Sequence, residues 1–170
     1  ELPPLPLGVL VAGTAGWIGY MIQQSLQNAL ERAGVERDVV TVITQVLVDK
    51  DDARTREPTK PIGRTLPSTT AKTLMRDQGW VISSGKEGRR RLVPSPVPID
   101  IVERKQIKRL IDAGTIVIAA GGGGTPVYRD PVLRLEGVDG VIDKDRAAAV
   151  LGNAIGAEVL LILTAIDGVY

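Results

Sequence analysis

The stretch Gly114-Thr-Ile-Val-Ile-Ala-Ala-Gly-Gly-Gly-Gly124 decides the fold class of this chain. Its apolar, β-branched half predicts a buried parallel strand, and that strand runs directly into four consecutive glycines. Glycines remove every Cβ from the predicted loop, so the oxygen atoms of a ligand can approach the backbone N–H groups. Phosphate is the ligand that such a loop favours. The glycine run alone fits a flexible turn equally well, because it matches neither of the common glycine-rich phosphate-binding patterns.

The composition indicates a globular α/β protein. The chain has 170 residues, of which 44% are hydrophobic and 3% aromatic, and this favours one domain with a small appended subdomain. Because aromatic residues are scarce, stacking surfaces for nucleic-acid bases are few, and no nucleic-acid partner is expected. The absence of Cys and His excludes thiolate sites and a histidine general base. Chemistry must therefore rest on Lys, Arg, Asp, Glu, hydroxyls and the backbone, and no metal-ligating residue is predicted.

The charges are unevenly distributed along the chain. The net charge is +1, but residues 49–98 carry eleven Lys or Arg against six Asp or Glu. Such an excess favours either an anionic substrate or an ordinary solvated basic face, and the solvated face is the more common of the two. No apolar run is long enough to span a bilayer, and the N-terminal residues lack the basic region of a signal peptide. We therefore expect a soluble, cytoplasmic protein without a membrane partner.

The first fifty residues predict a strand, a turn and a helix. Leu7–Ala12 has the composition of a strand, and from Ile18 to Leu30 apolar residues recur at helical spacing. Between the two lie three evenly spaced glycines, Gly13, Gly16 and Gly19. Dinucleotide-binding folds use this spacing to bring a pyrophosphate against a helix N-terminus. Val39–Val48 predicts a central strand, and Asp49 follows it where such folds place the acid that binds a ribose, which favours a nicotinamide-dependent epimerase or reductase.

The rest of the chain predicts an inserted subdomain and a return to α/β alternation. Residues 49–98 contain six prolines, a helical stretch at 70–78 and a hairpin with strands at 80–83 and 91–93. We interpret this segment as a small protruding lid. After it we expect a helix at 99–113, a hairpin within 125–139, a helix at 144–155 and a strand at 158–164.

Lys144 stands at an unusual place in one of these helices. Asp143 is a good N-cap, and Asp145 lies in the first turn, where acids are favoured. A cation between them is disfavoured by the helix dipole unless an anion lies nearby. Either a bound phosphate or plain solvation therefore explains Lys144.

Other polar residues have both a functional and an ordinary interpretation. Lys60 lies on a predicted loop that prolines restrict on both sides, which suits either a residue reaching into a site or a simple basic loop. Arg89–Arg91 is interpreted as a solvated flank of the hairpin. Asp167 and Gly168 form a predicted turn at the carboxyl edge of the sheet, where α/β folds bind ligands, and Tyr170 is near enough to lie against a base.

Seven stretches, in order over nearly the whole chain, resemble the carbamate kinases of the amino acid kinase family. They are Ile18–Gln24, Thr44–Asp52, Pro58–Gly63, Val93–Pro96, Ala119–Gly124, Val141–Asp145 and Leu163–Tyr170. Each is short, but seven in the family's order are specific. Glutamate kinases and UMP kinases share the Asp-Gly-Val-Tyr ending, but they lack the two proline-containing lid segments, Pro58–Gly63 and Val93–Pro96.

The resemblance implies a fold and an activity. The fold would be an open, mostly parallel sheet between helical layers, formed by residues 1–48 and 99–170, with residues 49–98 as the protruding lid. The activity would be reversible transfer of phosphate between MgATP and carbamate by a homodimer, with Mg²⁺ held mainly through the phosphates. Phosphoryl transfer depends on positioning and charge neutralisation, and carbamate is already an anionic nucleophile, so a site without histidine is coherent.

The resemblance also implies roles for individual residues. Lys60 would reach from the lid toward the reacting groups, and Lys144 would contact the phosphate in transit, with Asp145 orienting the lysines. The loop glycines Gly121, Gly122, Gly123 and Gly124 would border the phosphate path. Asp167, Gly168 and Tyr170 would lie near the ATP or ADP.

Parts of the family pattern have no match in this chain. Residues 12–17 and Ala165 depart from it, and its opening strand, its His-Gly-Asn-Gly-Pro loop and a C-terminal region with another catalytic lysine are absent. We therefore expect these 170 residues alone to show little kinase turnover. A non-catalytic, truncated kinase fold remains an alternative, beside the nicotinamide-dependent enzyme.

Overall fold

The computed structural model describes residues 5–85 and 88–163 and has helices and strands interspersed along the chain. The helices are α1 (Leu7–Arg32), α2 (Ser68–Gln78), α3 (Arg104–Asp112) and α4 (Lys144–Ile155). The strands are β1 (Val39–Thr41), β2 (Gln45–Leu47), β3 (Pro58–Leu66), β4 (Val81–Ile82), β5 (Arg89–Pro94), β6 (Asp100–Ile101), β7 (Ile116–Ile118), β8 (Thr125–Asp130) and β9 (Arg134–Gly137). Short 3-10 turns cover Ala53–Thr55 and Gly121–Gly123. The predicted α/β class is confirmed.

The strands form small, mixed sheets. β1 and β7 pair in parallel, and a second sheet has the order β6-β2-β8-β9, in which β2 and β8 are parallel and the other pairs antiparallel. β3, β5 and β4 form an antiparallel sheet of their own. The structure differs here from the expected open, mostly parallel sheet. Within the described residues, parallel pairing is limited to two strand pairs.

The predicted strand Val39–Val48 is divided in two by the loop opposite it. Thr41 pairs with Ile118, and Gln45 pairs with Thr125. The chain between β7 and β8 is longer than the chain between β1 and β2, so it must leave the plane of the strands. The glycines Gly121–Gly124 form this excursion, which places them at the carboxyl end of β7.

Residues 7–32 form one uninterrupted helix, so the prediction of a strand and turn before it is wrong. The run Leu7–Ala12 is apolar on all sides, and such a run has no periodicity that separates a buried strand from a helix. It continues a long helical pattern, and propagating an existing helix is cheaper than nucleating another element. Gly34, with φ of 68°, follows the helix end.

One of the three evenly spaced glycines, Gly19, lets α1 lie close to β1. A Cβ on Gly19 would lie 2.3 Å from Cγ2 of Thr41, and one on Gly16 would lie 3.6 Å from the Ile43 side chain. Gly13 has open space around it. The spacing that suggested a dinucleotide turn therefore reflects, in part, close helix–strand packing.

The core lies between the second sheet and the helices α3 and α4. Its buried members are Val46, Val48, Ile101, Ile107, Val138, Ile142 and Ala147. α3 begins at Arg104 rather than at residue 99 as predicted, because the preceding residues bind to β2: the N–H of Ile99 donates to Leu47 O at 2.8 Å, and that of Val102 donates to Gln45 O at 3.0 Å.

The segment 49–98 contains the predicted short helix, now α2, and the predicted hairpin, now β4 and β5. Its first part differs from the prediction. Lys60 lies on the strand β3, opposite Val93 of β5, and not on a loop. Pro58 and Pro61 are tolerated there because β3 is an edge strand of its sheet.

The predicted strand 158–164 is not formed over residues 158–163, and Thr164 lies outside the described residues. The side chains from Val159 to Leu163 are between 49% and 94% exposed. A β-prone run becomes a strand only when its backbone groups find partners, and in the described ranges this run pairs with no strand. In the part of the chain that the structure describes, no helix is both long and apolar enough to cross a bilayer.

Candidate functional site

The glycine loop adopts backbone conformations that glycine alone takes readily. Gly122, Gly123 and Gly124 have φ of 66°, 100° and 78°, in the left-handed region. Ala120, immediately before the loop, also has positive φ, at 52°. The path of the chain therefore favours glycine at three of the four positions.

Packing explains two of the four glycines. A Cβ on Gly123 would lie 2.5 Å from the carbonyl oxygen of Ile142, and one on Gly124 would lie 2.6 Å from Cγ2 of Val46. Both distances are shorter than Cβ atoms show in folded proteins, so a side chain at either position would force its neighbours to move. The protein itself uses the space at Gly123 and Gly124.

Gly121 and Gly122 are more open. A Cβ on Gly121 would meet Ala15 at 3.1 Å, whereas Gly122 has no atom within 4 Å of such a Cβ. Both glycines line a cavity of about 300 Å³ between α1 and the strands β1 and β7. Gly122 is thus the member of the loop whose backbone a ligand could approach.

The close contact at Gly123 brings the glycine loop against the start of α4. Ile142, whose carbonyl faces Gly123, is buried and directly precedes Asp143. Asp143 caps α4 as predicted, with Oδ1 accepting hydrogen bonds from the N–H groups of Asp145 at 3.1 Å and Arg146 at 3.2 Å. The loop and the helix N-terminus, which the sequence separates by about twenty residues, form one surface.

Lys144 is exposed and paired on this surface. Its Nζ lies 2.8 Å from Oδ1 of Asp145, and 68% of its side chain is exposed. The hydrogen bond that Lys144 donates to Asp145 raises the pKa of Lys144, and the charges of Asp145 and Asp143 act in the same direction. The amine is therefore protonated and paired with Asp145.

Lys60 reaches the same helix from β3. Its Nζ lies 3.3 Å from Oδ2 of Asp143, with 35% of the lysine side chain exposed. The capping bond from the Arg146 N–H is the largest cause of a lowered Asp143 pKa, opposed by partial burial and assisted by the Lys60 ammonium. Asp143 is thus ionised and serves both α4 and Lys60.

The sequence alone does not predict that Asp143 pairs with Lys60. The residues alone marked Asp143 only as a helix cap, and Lys60 is 83 positions away. The sequence did contain one indication of this role. Asp143 stands beside a lysine at the start of a helix, and a carboxylate in such a place can also pair with a second cation.

The glycine repeat of α1 does not build a dinucleotide site. The strand–turn–helix that such a site needs is replaced by the continuous α1, and Oδ1 of Asp49 accepts a hydrogen bond from the Asp51 N–H at 2.9 Å within a turn. The prediction of a nicotinamide-dependent enzyme, which rested on Gly13, Gly16, Gly19 and Asp49, is wrong in its structural premise.

The arginine run serves the structure, as the sequence analysis favoured. Arg91 lies 4.5 Å from the ring centre of Trp80 and 3.0 Å from Oδ2 of Asp139. Arg90 donates to the carbonyl oxygens of Gly63 and Pro61, at 3.0 and 3.4 Å. These contacts tie the antiparallel sheet together and to the chain before α4.

Other predicted site residues cannot be placed. Asp167, Gly168 and Tyr170 lie outside the described residues. In residues 5–85 and 88–163, no three acidic side chains gather into a group that would hold a metal ion. The charged side chains that do converge are lysines held by single carboxylates, and their chemistry suits an anionic ligand.

In α/β folds, a glycine loop at the end of a parallel strand beside a helix N-terminus is a common place for an anion to bind. The model of the amino acid kinase family matches residues 9–170, and the chain belongs to that family.

The individual proteins that it resembles are carbamate kinases. Those of Pyrococcus horikoshii and Staphylococcus epidermidis are 47% and 44% identical to it over 168 and 169 residues. The alignments cover 98% and 99% of this chain but 53% and 54% of the relatives, so the chain spans about half the length of the curated relatives it matches. The resemblance to carbamate kinases stated from the seven stretches is confirmed.

Solved structures agree with this assignment. A crystal structure from Aeropyrum pernix K1 superposes with a TM-score of 0.93 at 40% identity, covering 99% of this chain and 55% of that one. Carbamate kinase from Giardia lamblia bound to AMP-PNP superposes with a TM-score of 0.83 at 41% identity, covering 96% of this chain and 52% of that one.

Proposed function

We propose that this chain belongs to an ATP-dependent phosphotransferase with carbamate as acceptor, which interconverts MgATP and carbamate with ADP and carbamoyl phosphate. The observation that carries the proposal is the convergence of the glycine loop, Lys60 and Lys144 at the start of α4. The names of the relatives, and the ATP analogue bound to the Giardia lamblia enzyme, support it.

The two lysines neutralise the phosphoryl group in transit. Asp143 and Asp145 hold one ammonium each, at 3.3 and 2.8 Å. Ammonium groups fixed before the reaction stabilise charge that develops on the equatorial oxygens, without the cost of reorganisation during transfer. Lys60 and Lys144 are therefore the proposed catalytic residues, and Asp143 and Asp145 are positioning residues.

The glycine loop borders the path of the phosphate at Gly121 and Gly122. Gly122 leaves its backbone accessible, whereas Gly123 and Gly124 keep the loop pressed against Ile142 and β2. The amides of Asp145 and Arg146 already bind Asp143. The lysine ammonium groups, rather than those two amides, are therefore the groups that contact the phosphate.

No general base is required in this scheme. Carbamate carries its own negative charge and attacks the γ-phosphorus as an anion, so the lack of histidine is no obstacle. Mg²⁺ enters with the nucleotide and is held through its phosphates, where it neutralises their charge. Asp167, Gly168 and Tyr170 contribute to the nucleotide side of the site.

Residues 49–98 act as a lid that carries Lys60. The separate antiparallel sheet of β3, β4 and β5 supports this role, because it joins the chain around the start of α4 through the ion pairs Lys60–Asp143 and Arg91–Asp139 and through a hydrogen bond from the Val141 N–H to the Pro94 carbonyl oxygen.

The protein assembles as a homodimer in this proposal. Support comes from α1, where Trp17, Tyr20 and Met21 lie on neighbouring turns and are 72%, 61% and 56% exposed. Aromatic and methionine side chains at such exposure are enriched in protein interfaces. Sedimentation equilibrium should give twice the mass of one chain, and a monomer at micromolar concentration would count against this part of the proposal.

The activity is tested with the protein expressed from its complete reading frame. We expect ATP to form from carbamoyl phosphate and ADP in the presence of Mg²⁺, and calorimetry to show binding of ATP but not of NAD. NAD binding without ATP binding would overturn the proposal. ATP binding without any ATP formation would instead favour the non-catalytic kinase fold.

A further inference from the structure

Thr44 stands out because it is polar and buried. Its exposed fraction is 2%, and it is the one buried polar residue among those that the structure describes. It lies between β1 and β2, where the predicted single strand is interrupted, and faces the glycine loop. A buried hydroxyl at such a position must find partners or destabilise the fold.

The hydroxyl of Thr44 joins the segment between β1 and β2 to the start of the loop. Its Oγ1 donates to the carbonyl oxygen of Val42 at 3.0 Å and accepts from the N–H of Ala120 at 2.8 Å. Ala120 has φ of 52° and ψ of 33°, a left-handed conformation that residues with a Cβ adopt only when their surroundings enforce it. The hydrogen bond from Thr44 is one such constraint.

The backbone of Thr44 holds the other end of the loop. Its carbonyl oxygen accepts a hydrogen bond from the Thr125 N–H at 2.9 Å and would lie 3.0 Å from a Cβ on Gly124. One residue therefore binds the amide before the four glycines and the amide after them. The length and curvature of Gly121–Gly124 follow from these two attachments.

We propose that Thr44 is a positioning residue, which fixes the glycine loop in the shape that the transferring phosphoryl group requires. This inference rests on the proposed function. It assigns to Thr44 no contact with substrate, so its effect on turnover must pass through the conformation of Ala120 and the loop.

A neighbouring threonine supplies a matched control. Thr41 lies three residues earlier on β1, and its Oγ1 is buried with no hydrogen-bond partner among residues 5–85 and 88–163. Thr41→Val and Thr44→Val make the same chemical change, replacing a hydroxyl by a methyl group of similar size. Only Thr44→Val leaves the Ala120 N–H without its acceptor.

The experiment measures amide hydrogen exchange of residues 120–124 and the kinetics of ATP formation, in the complete protein. For Thr44→Val we expect Ala120 to exchange at least about tenfold faster and kcat to fall by about tenfold or more, with a smaller change in the KM for ADP. Thr44→Ser, which keeps the hydroxyl, should recover most of both losses, and Thr41→Val should change neither.

A second-site variant tests the mechanism. Ala120→Gly in the Thr44→Val background should recover a large part of the lost turnover, because glycine adopts φ of 52° without a Cβ penalty. Absence of any recovery would contradict the route through Ala120. If Thr44→Val does not fold, wild-type exchange decides: an Ala120 amide that exchanges as fast as a free peptide overturns the inference.

The remaining outcomes are also decisive. Unchanged exchange in Thr44→Val, or faster exchange with unchanged kcat, would overturn the positioning role. A wild-type protein that forms no ATP at all would overturn the proposed function. In that case the exchange rate of the Ala120 amide would still test whether Thr44 holds the loop: slow exchange would support this attachment, and fast exchange would contradict it.

Discussion

The ammonium group of Lys60 lies 3.3 Å from a carboxylate oxygen of Asp143, and this pair connects β3 to the first turn of α4. The other carboxylate oxygen of Asp143 accepts the two helix amides. One acid thus fixes a helix start and the lysine that a separate sheet brings to it. Since Asp143 follows the residue that packs on Gly123, the contact also sets Lys60 relative to the glycine loop.

Replacing Lys60 by alanine should reduce turnover with little loss of stability. An ammonium that neutralises the transferring group contributes about a 10²- to 10³-fold factor to kcat, whereas a partly exposed ion pair contributes roughly 0–1 kcal/mol to folding. Steady-state kinetics and urea unfolding measure the two effects. Lys72→Ala, an exposed lysine on α2, is the control, and a Lys60→Ala protein as active as that control would remove Lys60 from the site.

Lys144→Ala should likewise lower kcat by about 10²-fold or more without unfolding the protein. Its matched control is Lys108 on α3, whose Nζ lies 2.9 Å from Asp112 in a pair that is also exposed. Both changes remove a lysine paired to one aspartate. Equal turnover of the two variants would show that Lys144 is an ordinary solvated lysine.

Asp143→Ala should destabilise the fold in a pH-dependent way. Loss of the cap costs about 0.5–2 kcal/mol at pH 7. Because folding lowers the Asp143 pKa below its ordinary value of 3.8, the carboxylate contributes stability above that value and loses it as the pH falls through the lower, folded pKa. The difference between wild type and Asp143→Ala should therefore shrink between pH 5 and about pH 2.

Urea unfolding at several pH values measures this difference. Asp143→Asn retains a capping acceptor but no charge, so it should remain closer to wild type than Asp143→Ala at pH 7. A gap between wild type and Asp143→Ala that is the same at both ends of the pH range would contradict the stated role of the ionised carboxylate.

The two central glycines of the loop should respond differently to alanine. Gly123→Ala places a Cβ 2.5 Å from the Ile142 carbonyl and should destabilise the protein by more than about 2 kcal/mol. Gly122→Ala meets no atom within 4 Å and should cost only about 1 kcal/mol for its positive φ. If phosphate passes Gly122, that variant should nevertheless lose turnover, and full activity would remove Gly122 from the path.

What the sequence could predict depends on how local the cause is. The cap of α4 follows from Asp143 alone, because this residue acts on its own helix, and the structure confirms it together with the predicted bounds 144–155. The pairing of Lys60 with Asp143 depends on where β3 lies, and no pattern within either segment contains that information. The resemblance to carbamate kinases placed both lysines in one site, while the residues alone left each with an ordinary explanation.

Apolar runs were the weakest part of the prediction. Leu7–Ala12 and Val159–Leu163 are both hydrophobic on every side, so periodicity does not decide between helix and strand. The first continues into α1. The second forms no strand over its described residues, since strand formation depends on a partner that the run does not specify.

A pair of glycine substitutions tests the continuity of α1. Gly13 has open space around a Cβ, so Gly13→Ala should stabilise the protein by about 0.5–1 kcal/mol through helix propensity. Gly19→Ala should destabilise it, because the Cβ would lie 2.3 Å from Thr41. Thermal unfolding measures both. Destabilisation by Gly13→Ala would instead indicate a turn at this position.

A double-mutant cycle on kcat for ATP formation decides whether Lys60 and Lys144 act on the same phosphoryl group. Residues that stabilise one transition state together lose most of their joint effect when either is removed. We predict that the double Lys60→Ala, Lys144→Ala variant loses at least about tenfold less than the product of the two single losses. A double loss equal to that product would show that the lysines act independently, and it would contradict a joint action on one phosphoryl group.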